Sequence, residues 1–121
     1  MALRSASGRR LIAELGPDVR PWVPEHFYVE ATGVLRRLVL HEYLAEERAE
    51  RARQRLGRMR ITRVSVKSLL DEAWTLIHNV TIADAVYVVL ARHLGAELVT
   101  LDTRLIGAPG MDVPIVTVPI R

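Results

Sequence analysis

The sequence predicts an α/β fold, a three-layer sandwich in which helices cover both faces of a mainly parallel sheet. Segments with apolar residues at helical spacing alternate along the chain with short apolar runs. This alternation favours parallel strands joined by helical crossovers. No linker, internal repeat or low-complexity tract divides the sequence, so we expect a single domain over residues 1–121.

The stretch from residue 81 to residue 105 shows this pattern most clearly. Thr81 is a good N-cap, apolar residues then recur at helical spacing, and Gly95 is the residue that a helix prefers just past its end. A short apolar run over residues 98–101 follows. The stretch therefore predicts a helix, a tight turn and a buried strand in succession.

The amino-terminal part of the chain predicts a helix and a short strand. Residues 7–15 have a helical apolar face that Gly16 and Pro17 end, and residues 19–23 lie between prolines. A second helix is expected over residues 27–44.

The middle of the chain predicts a third helix over residues 46–59, with a thin apolar stripe. Residues 61–66 alternate as an exposed or edge strand does. Ser68 opens a fourth helix with a capping-box pattern, and a proline-interrupted strand over residues 113–120 closes the chain. The buried face of the fourth helix is predicted to consist of Leu70, Ala73, Trp74 and Ile77.

Composition limits the class of protein. With 121 residues, 50% of them hydrophobic, the chain is long enough to bury a core. No apolar run reaches the roughly 18 residues that a transmembrane helix requires. Cysteine is absent, which excludes disulfides, thiolate metal sites and cysteine nucleophiles. We expect a cytoplasmic protein with no membrane partner.

The basic charge is concentrated in one helical segment. A net charge of +3 and a pI near 9.9 are compatible with a polyanionic partner. Residues 48–63 contain seven arginines. Four glutamates flank or interleave the start of this run at spacings that favour ion pairs: Glu42, Glu46, Glu47 and Glu50. We favour a solvated helical face, and an RNA-binding stripe stays open as the alternative.

Two aspartates mark a candidate metal site. Asp84 lies in a first helical turn, and Asp102 lies where a strand gives way to a loop. Ligands of open α/β sheets bind at the carboxyl ends of the strands, and clustered carboxylates there suit Mg²⁺. Each acid also has a structural explanation, because Asp84 and Glu30 near helix starts favour the helix dipole and Asp102 can cap a short turn. Only the joint pattern favours the metal site.

Two motifs lie at a characteristic separation: Thr-x-x-Asp-Ala-x-Tyr-x-x-Leu-Ala from Thr81 to Ala91, and Leu-Val-Thr-x-Asp-x-Arg-Leu from Leu98 to Leu105. Together they resemble the carboxyl half of a PIN domain, closest to the VapC-type toxins of bacterial toxin–antitoxin pairs. The segment around Glu30 resembles the part of that family that carries a conserved glutamate.

This resemblance implies a Mg²⁺-dependent endoribonuclease, with Mn²⁺ as the alternative ion, held inactive by a VapB-type antitoxin. It places Glu30, Asp84 and Asp102 at acidic metal-site positions. It also implies a homodimer. The chemistry agrees, because clustered acids can hold Mg²⁺ and orient a water for attack on RNA phosphodiester bonds. The candidates for holding the RNA are Arg36, Arg37, Thr100 and Arg104.

The sequence departs from the family at its amino terminus. PIN domains begin with an apolar strand that ends in an aspartate, whereas nothing before Asp18 is an aspartate and nothing before Leu11 resembles a strand. We expect the first strand and its acid to be absent, and the 121-residue form to be a poor nuclease. A start placed at an internal codon, a shortened chain and a degenerate copy all stay open.

The remaining polar and aromatic candidates have structural interpretations. Trp22 and Trp74 are expected to pack in the core or an interface rather than to stack on bases. The histidines share no ligand-like spacing, and we interpret all four as structural or exposed: His26, His41, His78 and His93.

Three classes of function remain. The first is a metal-dependent ribonuclease toxin, which we favour. The second is a catalytically impaired PIN-like module that binds antitoxin or RNA without cleaving it. The third is a nucleic-acid-binding regulator that uses the helix at residues 48–63, and it is disfavoured because no second helix with a recognition face accompanies it.

Overall fold

The computed structural model describes residues 20–100 and 115–117. The predicted helix over residues 7–15 lies outside these ranges. In chain order the elements are β1 (Trp22–Pro24), α1 (Phe27–Leu40), α2 (Glu46–Arg58), β2 (Thr62–Val64), a 3₁₀ turn (Lys67–Leu69), α3 (Leu70–Trp74), α4 (Ile82–Leu94), β3 (Leu98–Thr100) and β4 (Ile115–Thr117).

The strands pair in parallel, as predicted. β1 pairs with β2 with Val23 opposite Arg63, and β3 pairs with β4 with Val99 opposite Val116. Helices α1 and α2 lie between β1 and β2 in sequence, so this pair is a βαβ-type crossover rather than a hairpin. The prediction of an α/β fold with parallel strands is confirmed.

Helix α4 is the centre of the core. Every residue from 85 to 91 is buried, and the helix packs against α3, β1 and β3. A helix that is apolar on all sides must be covered on all sides. Val88 of α4, Val23 of β1 and Phe27 at the start of α1 are each fully buried. The core therefore forms where α4 meets the first strand and the first helix.

Thr81 and Gly95 set the two ends of α4, which confirms the predicted N-cap and the predicted glycine just past the helix. The Asp84 backbone N–H donates to Thr81 Oγ1 at 3.2 Å. At the other end Gly95 adopts φ of 60°, and the Ala96 N–H donates to the Ala91 carbonyl at 3.0 Å. Glycine takes this left-handed conformation without a Cβ penalty, which ends the helix.

Helix α1 ends earlier than predicted, at Leu40 instead of residue 44. Glu42 adopts a left-handed φ of 61°, and the N–H groups of Tyr43 and Leu44 both donate to the Leu38 carbonyl. This turn leads the chain directly into α2. The two strands of the first sheet are also shorter than predicted.

The prediction for the fourth helix was wrong in its start and in its phase. Ser68 lies inside the 3₁₀ turn, where its hydroxyl donates to the Ser65 carbonyl at 2.8 Å and does not cap a helix. The tighter turn rotates the following residues, so that Leu69, Ala73 and Leu76 are buried. Of the predicted buried residues other than Ala73, three are exposed: Leu70, Trp74 and Ile77.

Neither tryptophan belongs to the core. Trp22 is 46% exposed and Trp74 is 66% exposed. Of the two predicted alternatives, packing in the core is wrong, and packing in an interface stays a prediction. β1 buries only Val23 and Pro24, and the five-residue α3 turns Trp74 outward.

Glu72 ties α3 to α4. Arg92 Nη1 donates to Glu72 Oε2 at 2.8 Å, and His93 Nε2 lies 2.7 Å from Glu72 Oε1. These contacts lower the pKa of Glu72 below its usual value, the His93 hydrogen bond first and the Arg92 hydrogen bond second. His93 is exposed and serves a structural contact, in agreement with its sequence interpretation.

Candidate metal centre

A hydrogen bond between Tyr87 and Glu30 organises the candidate site. The Tyr87 hydroxyl donates to Glu30 Oε1 at 2.7 Å, across 57 positions of sequence. Tyr87 is 2% exposed, and the Glu30 side chain is 17% exposed. Glu30 lies in the first turn of α1, where the helix N-terminus favours a carboxylate. The bond therefore joins the start of α1 to the buried central helix.

Asp84 lies on the same face of α4 as Tyr87, one helical turn earlier. This places the Asp84 carboxylate on the side of α4 that Glu30 approaches. The Asp84 backbone N–H bonds to Thr81, but within the described residues its carboxylate makes no return bond to the cap. A capping box would use that carboxylate. The side chain is half-buried and is not occupied by a capping role.

His26 contacts this pair and was not identified from the sequence as a site residue. Its Nε2 lies 3.8 Å from Glu30 Oε1, and its ring centroid lies 5.0 Å from that of Tyr87. Both ring nitrogens are buried, and within the described part of the chain neither has a hydrogen-bond partner. The available signal was the i,i+4 spacing of His26 and Glu30 at the start of a helix.

Three of the other predicted site residues lie in the described part of the chain: Arg36, Arg37 and Thr100. Arg37 lies on the Glu30 face of α1 about two turns further along, roughly 10 Å away along the axis, and both Arg36 and Arg37 are exposed. Thr100 is the last residue of β3, whereas the strand was predicted to continue through Leu101. Asp102 and Arg104 lie outside the described residues.

Oxygen donors dominate the described part of the site. Glu30 in α1 and Asp84 in α4 supply carboxylate oxygens, and hard oxygen donors of this kind suit Mg²⁺. The donor chemistry therefore fits a magnesium ion. Within residues 20–100 and 115–117, no group of three or more His, Cys, Asp or Glu side chains is close enough to hold an ion.

Comparison with known families decides the identity of the fold. Residues 4–110 match the family model of the PIN domain. The chain belongs to the PIN-domain family. The parallel strands and the helix carrying the Asp84 motif are thus those of a PIN domain, and the resemblance noted in the sequence is confirmed.

This PIN domain is similar to several mycobacterial proteins named as ribonucleases. Ribonuclease VapC9 of Mycobacterium tuberculosis is 35% identical over 117 residues, which cover 97% of this chain and 89% of that protein. Ribonuclease VapC1 of the same organism is 39% identical over 93 residues, 76% of this chain and 70% of the relative. Ribonuclease VapC12 is 30% identical over 92 residues, 76% and 71% respectively.

A groove on this PIN domain runs between α1 and α2, with a volume of about 280 Å³. Its floor is apolar, formed by Leu35, Val39 and Ala49, and charged side chains border it.

In the described ranges, every helix is too short or too polar to span a lipid bilayer.

Proposed function

We propose that this PIN domain is a metal-dependent endoribonuclease, the toxin of a toxin–antitoxin pair, which hydrolyses RNA phosphodiester bonds. The observation that carries the proposal is the Tyr87–Glu30 hydrogen bond, because it brings a second carboxylate to the face of α4 that bears Asp84. Similarity to proteins named VapC ribonucleases supports the reaction class. We place the protein in the cytoplasm, where its RNA substrate lies.

The acids proposed to hold the metal are Glu30, Asp84 and Asp102. When bound, Mg²⁺ would supply an activated water and offset charge on the reacting phosphate, and Mn²⁺ is the alternative ion. Tyr87 fixes the orientation of the Glu30 carboxylate, so this ligand is held in place before the ion arrives. The Thr81 cap fixes the first turn of α4 and therefore the position of Asp84.

The RNA substrate is proposed to bind beside these acids. The side chains assigned to its phosphates are those of Arg36, Arg37, Thr100 and Arg104. Arginine suits this role because its planar guanidinium donates two parallel hydrogen bonds to a phosphate.

A VapB-type antitoxin is the proposed protein partner, and a segment of it would occupy the groove between α1 and α2. The apolar floor of Leu35, Val39 and Ala49 suits an apolar anchor, and the mixed charges at the border suit a partner with polar flanks. We also propose a homodimer, on the basis of the family.

The experiment is a cleavage assay with the metal removed and restored. Purified protein is treated with EDTA, and RNA cleavage is measured before and after addition of Mg²⁺ or Mn²⁺. The proposal predicts cleavage only with metal, and inhibition when an antitoxin encoded beside the gene is added. RNA binding or antitoxin binding without any cleavage would favour the catalytically impaired module instead.

A further inference from the structure

Four arginines form an exposed stripe along α2. Arg48, Arg51, Arg55 and Arg58 recur at spacings of three and four residues and therefore share one side of the helix. The stripe is about 15 Å long, at 1.5 Å per residue. All four side chains are exposed, and the described structure gives none of them an ion pair or a hydrogen bond.

The other flank of α2 is different. Glu46, Glu50 and Arg53 line the groove with α1, where Arg53 donates to Glu50 and Gln54 donates to the same carboxylate at 3.2 Å. At 3.6 residues per turn this set points roughly 150° away from the arginine stripe. A protein segment in the groove would therefore leave the stripe accessible.

Ordinary helix electrostatics do not account for the stripe. Residues 51–70 contain seven basic residues and no acid, so Arg55 and Arg58 have only like charges or neutral residues three and four positions away. Like charges at these spacings destabilise a helix. The helix dipole favours Arg58 near the C-terminus, but it disfavours Arg48 in the first turn. Among the described residues, α2 therefore has ion pairs typical of a solvated helical face only on the flank that carries Glu50.

We propose that the arginine stripe of α2 binds the phosphodiester backbone of RNA, outside the acidic site. This rests on the proposed ribonuclease function and specifies how its substrate docks. Guanidinium groups donate bidentate hydrogen bonds to phosphate oxygens, and a row of them follows successive phosphates of a strand. No aromatic side chain lies in α2, so base stacking is not part of the contact. The stripe therefore contributes affinity without sequence preference.

The test measures RNA binding as a function of salt. All proteins carry Asp84→Asn and are kept in EDTA, so the RNA is not cut, and binding of a structured RNA is followed by fluorescence anisotropy. Arg51→Gln and Arg55→Gln are each compared with Arg53→Gln, which removes one charge from the same helix. Each phosphate contact contributes about 0.7 to 0.9 to the slope of log K against log salt. We expect each stripe variant to lose about that much slope and about fivefold in affinity at 0.1 M salt.

The Arg53→Gln control is expected to retain the slope, and thermal melting checks that all variants are folded. Equal losses in Arg51→Gln, Arg55→Gln and Arg53→Gln would show a net-charge effect and overturn the proposal. Unchanged RNA binding together with weaker antitoxin binding would assign the stripe to an acidic protein segment and also overturn it. Wild-type protein that binds RNA through the stripe but never cleaves it would support this inference while contradicting the ribonuclease function.

Discussion

Tyr87 and Glu30 are joined by a 2.7 Å hydrogen bond that connects the buried central helix to the first turn of α1. Tyr87 follows Asp84 by one turn, so a single contact sets the relation between two acids that lie 54 residues apart in sequence. Burial of the tyrosine makes the contact rigid, since its ring is enclosed by the core.

Removal of this hydroxyl tests its role in holding Glu30. Tyr87→Phe leaves the ring in place and deprives the half-buried carboxylate of one donor. We expect a loss of about 1–3 kcal/mol in the free energy of unfolding. Cleavage and metal affinity should fall roughly 10- to 100-fold, as is typical when the partner of a metal ligand is removed. Tyr28→Phe is the matched control, because the described residues show no hydrogen bond to its hydroxyl. Equal activity of the two variants would refute the positioning role.

Two substitutions in the first turn of α4 separate capping from metal binding. Thr81→Ala removes the side chain that accepts the Asp84 N–H, and it should cost about 1 kcal/mol of stability. Asp84→Asn keeps that bond and relieves repulsion between carboxylates, so the stability of the metal-free protein should hold or rise. Its Mg²⁺ or Mn²⁺ affinity, measured by calorimetry, should fall. Collapse of the fold in Asp84→Asn with unchanged metal affinity would assign the carboxylate to a structural role.

Acid should weaken the contact between α3 and α4. The pKa of Glu72 is lowered by His93 and Arg92, so the folded state favours its charged form. The stabilisation is present above the usual glutamate pKa of 4.5 and is lost as the pH falls through the lower folded value. Because these side chains are partly exposed, the effect should stay below about 1 kcal/mol.

Denaturant unfolding of wild type and Glu72→Gln at pH 7 and at pH 3 measures the effect of Glu72. The difference in stability between them should shrink at the lower pH. Asp71→Asn, an exposed neighbour on α3, controls for the loss of one acidic charge from the same helix. A difference in the free energy of unfolding between wild type and Glu72→Gln that is the same at both pH values would contradict the lowered pKa of Glu72.

Substitution of alanine for Gly95 and for Gly57 should change the stability of the protein in opposite directions. Gly95 adopts φ of 60°, and alanine is strained there, so Gly95→Ala should destabilise the protein by about 1 kcal/mol. Gly57 lies in α2 with open space around its Cβ position, and Gly57→Ala should stabilise by roughly 0.5–1 kcal/mol. Thermal melting of both variants measures this, and shifts of the same sign would contradict the assigned conformations.

Sequence reasoning succeeded where local signals were sufficient. The Thr81 cap and Gly95 each act within one turn of the chain, so both ends of α4 were predicted. The fourth helix was predicted in the wrong phase, because the 3₁₀ turn at Lys67–Leu69 changes the residue spacing before the helix begins. Periodicity assumes a constant spacing and does not detect that change.

The assignment of Glu30 and Asp84 to a metal site stays a prediction, and the contacts around Glu30 depend on tertiary packing. Motif resemblance selected Glu30 and Asp84, and the contact between Glu30 and Tyr87 is consistent with that choice. His26 was assigned a structural or exposed role, and its position against Tyr87 depends on the packing of α1 on α4. No local pattern predicts a ring contact between residues so far apart in sequence.

RNA cleavage by carboxylate variants, with Mg²⁺ present, tests the central claim most directly. Glu30→Gln and Asp84→Asn are compared with wild type and with Asp71→Asn, which makes the same change at an exposed position of α3 outside the site. The account predicts wild-type cleavage by Asp71→Asn, and a loss in both site variants greater than the roughly 100-fold that outer partners of a metal contribute. Full cleavage by folded Glu30→Gln and Asp84→Asn would contradict it.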